Sequence, residues 1–212
     1  MSTGKIKALS KSKGCTINDV VLALISTSLK DYFVKHGDET GHVTLSVPFT
    51  FRSIPQNKWN YKFCNQFAAM QIRLDLEAKF DDAVKRAQKM ARNQLKKFPG
   101  AMFLLLKLYV KCFTLKRISK LTMDYGEKHS LVLSNIPGLV KPIHLCGNQI
   151  SRLYIIPTSM GTLASGFVLF SVMDKLQCNI STDELQIEDF DLFLEIFNQK
   201  IKDLGIEHEG KN

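Results

Sequence analysis

Thr16-Ile17-Asn18-Asp19-Val20-Val21-Leu22-Ala23 and, a little further on, Val43-Thr44-Leu45-Ser46-Val47-Pro48-Phe49 decide how this chain folds. In the first stretch Thr16 fits the N-cap of a helix, and Asp19, three residues later, completes a capping box. Ile17, Val20, Val21, Leu24 and Leu29 recur near one face to about Val34, and His36-Gly37-Asp38 ends the run. The second stretch alternates apolar and polar side chains with period two, which is a strand. Pro48 puts it at a sheet edge or a strand end.

Outward from that pair, helices and strands are mixed without strict βαβ alternation. Residues 67–74 read as a strand. Residues 78–98 read as a helix, with Phe80, Ala83, Val84, Ala87 and Met90 on its apolar face. Residues 101–123 read as one further helix, strongly apolar, with Lys107, Lys111, Lys116, Arg117 and Lys120 as a basic stripe suited to an interface. Short strands follow at 130–133, 143–146, 149–156, 163–172 and 176–180. Between them Pro137 and Gly138 fit the central positions of a type II turn. A helix over 188–204 closes the pattern, with acids at its start, lysines near its end and Gly205 as its C′ residue. The pattern predicts an α/β (α+β) sandwich, a mixed sheet with helices packed on it. Residues 15–205 form the expected domain, 1–14 a basic lead-in and 206–212 a polar tail.

Composition is that of a globular chain: 212 residues, 45% hydrophobic and 23% charged. The net charge of +9 is uneven. Residues 1–130 hold 23 basic and 10 acidic side chains, and residues 131–212 hold 6 and 10. A basic first part suggests an anionic neighbour such as a membrane surface or a phosphorylated ligand. Nucleic acid has no further support, because no aromatic-basic interleaving is visible. Cys15, Cys64, Cys112, Cys146 and Cys178 form no CxxC pair and no zinc spacing, and each reads as a small buried hydrophobe. With no signal-like apolar segment after Met1, the expectation is a reduced, cytosol-facing protein. Residues 153–173 carry no charge, yet Pro157, Gly161 and their polar neighbours fit two strands and a connection better than a spanning helix.

No Gly-rich phosphate loop, G-x-S-x-G or H-E-x-x-H occurs. His36, His42, His129, His144 and His208 lack a carboxylate at a persuasive spacing and read as exposed or capping residues. No catalytic residue and no metal ligand is assigned.

Asn18-Asp19-Val20-Val21-Leu22-Ala23 is similar to the NDVVLA motif of the bifunctional wax ester synthase/diacylglycerol acyltransferase family, and Ser134-Asn135-Ile136-Pro137-Gly138 resembles its SN(V/I)PGP motif. Val47-Pro48 to Arg52 resembles the family's VPVSLR strand, and Cys64-Asn65-Gln66-Phe67 its GNxF segment. Cys64 stands in place of that Gly, and Leu139 in place of the last Pro. The family has a chloramphenicol-acetyltransferase-like fold of two α/β halves flanking a channel. Its base is the second His of an HHxxxDG motif in the N-terminal half. This sequence contains no such motif and resembles the C-terminal half alone.

The resemblance implies one wall of a channel in an enzyme that moves a fatty acyl group from acyl-CoA to diacylglycerol or a long-chain alcohol. Acyl-CoA would be substrate, with no cofactor. The implied channel or structural residues are Asn18, Asp19, Asn65, Ser134, Asn135, Pro137 and Gly138. The implied partners are an HHxxxDG-bearing half and, peripherally, an anionic membrane. The alternative is a non-catalytic lipid- or membrane-binding module of the same fold.

Overall fold

The computed structural model describes residues 1–52, 66–95, 99–139, 141–150, 153–156, 165–183 and 187–208. Helices α1 (Thr3–Ser12) and α2 (Ile17–Lys35) precede strands β1 (His42–Thr50) and β2 (Phe67–Asp75). Helices α3 (Phe80–Leu95), α4 (Pro99–Cys112) and α5 (Leu115–Gly126) lead to β3 (Leu131–Leu139) and the short hairpin β4 (His144–Leu145)–β5 (Asn148–Gln149). Strands β6 (Ser165–Val172) and β7 (Lys175–Thr182) and helix α6 (Phe190–Asp203) complete the order.

Five strands form one mixed sheet in the order β2-β1-β3-β6-β7. The inner neighbours β1, β3 and β6 are parallel, and β2 and β7 pair antiparallel at the edges. Register explains the core. Leu45 faces Ile72 on one side and Leu131 on the other, Leu133 faces Phe167, and Leu169 faces Cys178. With period two, these apolar rows share one face. Helix α2 lies on that face, with α1, α3 and α6 packed around it.

Helix α2 begins as its sequence dictates: Thr16 and Asp19 form the capping box. Its burial is wider than one stripe. Every side chain from Asp19 to Leu29 is buried, because neighbours enclose it on several sides. Ser26 is buried without penalty: its hydroxyl donates to the Asp75 carbonyl at 2.8 Å and accepts from the Glu77 N–H at 3.0 Å. Beneath the sheet, Ser46 points the other way and lies 3.2 Å from the hydroxyl of Tyr125 on α5. The result is helices, sheet, and α5 on the far face.

Four expectations are corrected. The lead-in contains α1, whose Ile6 is fully buried in the main core. Ile206, in the tail, is buried there too. The helix expected over 101–123 is two helices, broken where Thr114 takes an extended conformation at the cap of α5. The first of these two helices starts at Pro99, where proline's missing N–H costs nothing. Pro137-Gly138 lies inside β3, and no positive φ occurs at Gly138.

The cysteines divide as well. Cys112 and Cys146 are exposed, against expectation; Cys146 and Gly147 both take positive φ in the β4–β5 turn. Cys178 sits in the core periphery, and burial pushes its thiol up to about 12. An alkylating reagent at mildly alkaline pH is therefore expected to label Cys112 and Cys146 first and Cys178 only after unfolding. Peptide mapping by mass spectrometry checks this; early labelling of Cys178 would contradict its placement. Among the described residues, no helix is long and apolar enough to cross a membrane.

Candidate functional site

The two motifs meet. Asn135, on β3, donates from Nδ2 to Oδ1 of Asn18, in the first turn of α2, at 2.6 Å. The residues are 117 positions apart. Helix α2 returns antiparallel to the strand that follows it, so its N-terminus comes to the carboxyl ends of β1 and β3. Alternation along β3 turns Asn135 to the same face as Leu131 and Leu133, toward α2. Ser134 faces the other side, half-buried and in register with Val168. Asn18 and Asn135 are both exposed.

Asp19 has a structural assignment. Its Oδ2 accepts from the Thr16 N–H and from the Thr16 hydroxyl, each at 2.9 Å, and the Asp19 N–H donates back to that hydroxyl at 3.2 Å. With 4% of its surface exposed, it holds the helix start rather than a ligand.

Gly138 is fixed by space, not by turn geometry. The register of β3 on β6 slips between Ile136 and Leu139, so one extra residue of β3 bulges. Proline cannot donate to a ladder, and a bulge tolerates it. A Cβ on Gly138 would lie 1.9 Å from the Ser171 carbonyl oxygen, far inside van der Waals contact. Only glycine lets the two backbones approach this closely. Asn65 lies outside the described residues, as does Cys64.

What the pair can do is bind and orient. The Asn18 amide nitrogen and the Asn135 amide oxygen are left facing outward, neutral, beside the partial positive charge of a helix N-terminus. Neither amide titrates, so neither can serve as a general base.

The histidines lie elsewhere. His36 and His42 line an open cleft of about 470 Å³ at the opposite end of the sheet, floored by Leu29, Phe167 and Phe193. Parallel strands present ligands at their carboxyl ends, so the amide pair, not this cleft, is the candidate site. Of its two readings, exposed or capping, His129 takes the second: it is buried, its ring lies on Tyr125, and its Nδ1 is 2.5 Å from the Tyr125 carbonyl oxygen in the last turn of α5. That oxygen can only accept, so Nδ1 carries the hydrogen. His208 does have a carboxylate, 34 residues away: its Nε2 is 2.9 Å from Asp174 Oδ2. This hydrogen bond holds the Asp174 carboxyl below its usual range. Sequence spacing carried no signal for that pair. Among the described residues, no cluster of side chains could hold a metal ion.

The profile of the WS/DGAT C-terminal domain matches residues 63–205. The chain belongs to that family. This WS/DGAT C-terminal domain is 23% identical, over 83% of its length, to the O-acyltransferase WSD of Acinetobacter baylyi, of which it covers 38%. Its fold matches the wax ester synthase/diacylglycerol acyltransferase of Marinobacter aquaeolei VT8 with a TM-score of 0.66, covering 97% of this chain and 47% of that one at 17% identity. It is also similar to the epimerization domain of the third module of tyrocidine synthetase B (TM-score 0.61, 15% identity, 96% and 46% covered). The WS/DGAT C-terminal domain thus shares a fold with condensation-type enzymes and spans less than half the length of these relatives.

Proposed function

We propose that this domain forms one wall of an acyl-transfer cleft in a wax ester synthase/diacylglycerol acyltransferase. The observation that carries the reading is the Asn18–Asn135 hydrogen bond, which joins two motifs remote in sequence into one polar spot at the carboxyl ends of the parallel strands. Acyl-CoA is the donor, and diacylglycerol or a long-chain alcohol is the acceptor. The reacting base is a histidine of an HHxxxDG-bearing half outside these 212 residues. That histidine takes the hydroxyl proton as the oxygen attacks the thioester carbonyl. The carbon–sulfur bond breaks, and the CoA thiolate leaves with the proton. Asn18 and Asn135 orient the substrate, and Asp19 and Gly138 hold the two motif backbones in place. The protein works from the cytosolic side, peripherally on a membrane that supplies its lipid acceptor.

The test is complementation. The chain alone is expected to give no labelled neutral lipid from labelled acyl-CoA. Mixed with an HHxxxDG-bearing half, it is expected to give wax ester or triacylglycerol, and Asn18→Ala lowers that rate. A reconstituted pair that stays inactive, where a full-length relative works, would overturn the reading. The second reading, a non-catalytic membrane-binding module of the same fold, is favoured by one observation, the uncovered apolar surface of α4.

A further inference from the structure

Helices α4 and α5 present apolar surface that nothing among the described residues covers. Leu104, Leu105 and Leu108 on α4 are 69%, 66% and 58% exposed, and Leu115 and Met123 on α5 are 84% and 62% exposed. A helix apolar around most of its circumference is stable when something buries it. The charges narrow down what that is. Residues 99–126 contain Lys107, Lys111, Lys116, Arg117 and Lys120 against one acid, Asp124. At 100° per residue, Lys107 and Lys111 make a stripe one turn apart on α4, bordered on one side by Leu104 and Leu108. Lys116 and Lys120 do the same on α5, between Leu115 and Met123 on one side and Arg117 on the other.

The two helices are tied as a unit. The Tyr109 and Phe113 rings are 4.3 Å apart, the Arg117 guanidinium lies 5.6 Å from the Phe113 ring centre, and the Tyr109 hydroxyl donates to the Arg117 carbonyl at 3.4 Å. Among the described residues, no acidic side chain pairs with Lys111, Lys116 or Lys120.

We infer that the α4–α5 hairpin docks in the headgroup layer of an anionic bilayer. The leucines enter the acyl boundary, and the lysine stems run along the apolar surface to place their ammonium groups at the phosphates. Helix α4 has 14 residues. At about 1.5 Å per residue it falls short of the roughly 30 Å hydrocarbon core, so it lies in the interface rather than crossing it. Both leucines and lysines are used at once by a bilayer surface, whereas a plain apolar groove would leave the lysines unmatched. The inference rests on the peripheral-membrane part of the proposed function and assigns it to particular side chains.

The experiment is vesicle flotation of the full 212-residue chain with phosphatidylcholine alone and with added phosphatidylserine. The chain is expected to float with the anionic vesicles and to release at high salt. Each cation near an anionic surface is worth about fivefold in partition, so the triple variant Lys111→Ala/Lys116→Ala/Lys120→Ala is expected to lose about a hundredfold. Leu104→Ser/Leu108→Ser is expected to weaken binding with an unchanged unfolding midpoint, since both side chains are exposed. If the wild type floats and both variants float equally well, the hairpin is not the dock, although peripheral binding stands. If the wild type floats with neither vesicle, peripheral binding itself fails. If an HHxxxDG-bearing half blocks flotation, or the leucine variant turns a dimer into a monomer, a protein surface covers the hairpin and the inference is overturned.

Discussion

Gly138→Ala is expected to destabilise the domain by about 3 kcal/mol or more, near the upper end of what forced overpacking costs. The new Cβ would lie 1.9 Å from the Ser171 carbonyl oxygen and 2.5 Å from its carbonyl carbon. Both are backbone atoms, so no rotamer change relieves the clash. Strand β3 must lift from β6, and the lift breaks the bond from the Met173 N–H to the Leu139 carbonyl, 2.8 Å long, at the end of the ladder. Urea unfolding is expected to show a lower midpoint with an unchanged slope. Gly41→Ala is the control. A Cβ there meets no heavy atom within 4 Å, and its backbone is not left-handed, so the change is expected to stay within about 0.5 kcal/mol. The contrast separates a steric requirement from a general glycine effect on the unfolded chain. Equal stability of the two variants would mean that β3 and β6 do not pair through a bulge as described. Because Asn135 is three residues upstream, a lifted β3 also draws its amide from Asn18. The same variant therefore couples the stability of the bulge to the geometry of the site.

That coupling shows which parts of the site are legible in sequence. Thr16 and Asp19 announce a helix start because the capping box is a local device, complete within four residues. Gly205 is read correctly for the same reason: it takes φ +63° just after the last turn of α6. The Asn18–Asn135 bond has no local signature. Each amide is ordinary in its own setting, and only the return of α2 over the sheet brings them together. Pro137-Gly138 shows local chemistry outvoted. Their turn preference yields to strand pairing with β6, which accommodates the proline as a bulge and uses the glycine for close approach rather than for positive φ.

Helix α1 is missed because its large apolar side chains are sparse. Ile6 and Leu9 look insufficient until the core is known to extend beneath them, and the Ser2 N–H donates to the carbonyl of Ile206 at 2.8 Å. The break before α5 has no proline or glycine to mark it, so an unbroken apolar-basic pattern reads as one helix. Neutral amides stand at the motif junction, and the described histidines lie elsewhere, where no spacing in the sequence marks their partners.

Phe193→Ala is expected to cost about 3–5 kcal/mol, the usual range for removing a buried phenylalanine. Phe193 is the hub of the aromatic cluster that docks α6. Its ring centre lies 5.9 Å from Phe197, 6.0 Å from both Tyr32 and Phe167, and 6.4 Å from Phe190. The Tyr32 and Phe167 contacts are edge-to-face, the arrangement that aligns ring quadrupoles favourably. Through Tyr32 the cluster reaches α2, and the Tyr32 hydroxyl donates to the Glu188 carbonyl just ahead of α6. Truncation therefore loosens α6 from α2 and from the sheet together. One feature moderates the cost. Phe193 lines the open cleft at this end of the sheet, so the lost volume joins a concavity that water already reaches instead of leaving a sealed void. That places the expected loss toward 3 kcal/mol. At roughly 2–4 °C per kcal/mol for a chain of this size, the melting temperature falls by about 6–12 °C. Phe190→Ala is the internal comparison: the ring is half-buried at the helix start, and its loss is expected to cost less than half as much. If Phe193→Ala unfolds within about 1 kcal/mol of the wild type, α6 is not anchored through this cluster. Its docking would then have to rest on Ile196, Phe197 and the ion pair between Lys200 and Asp31.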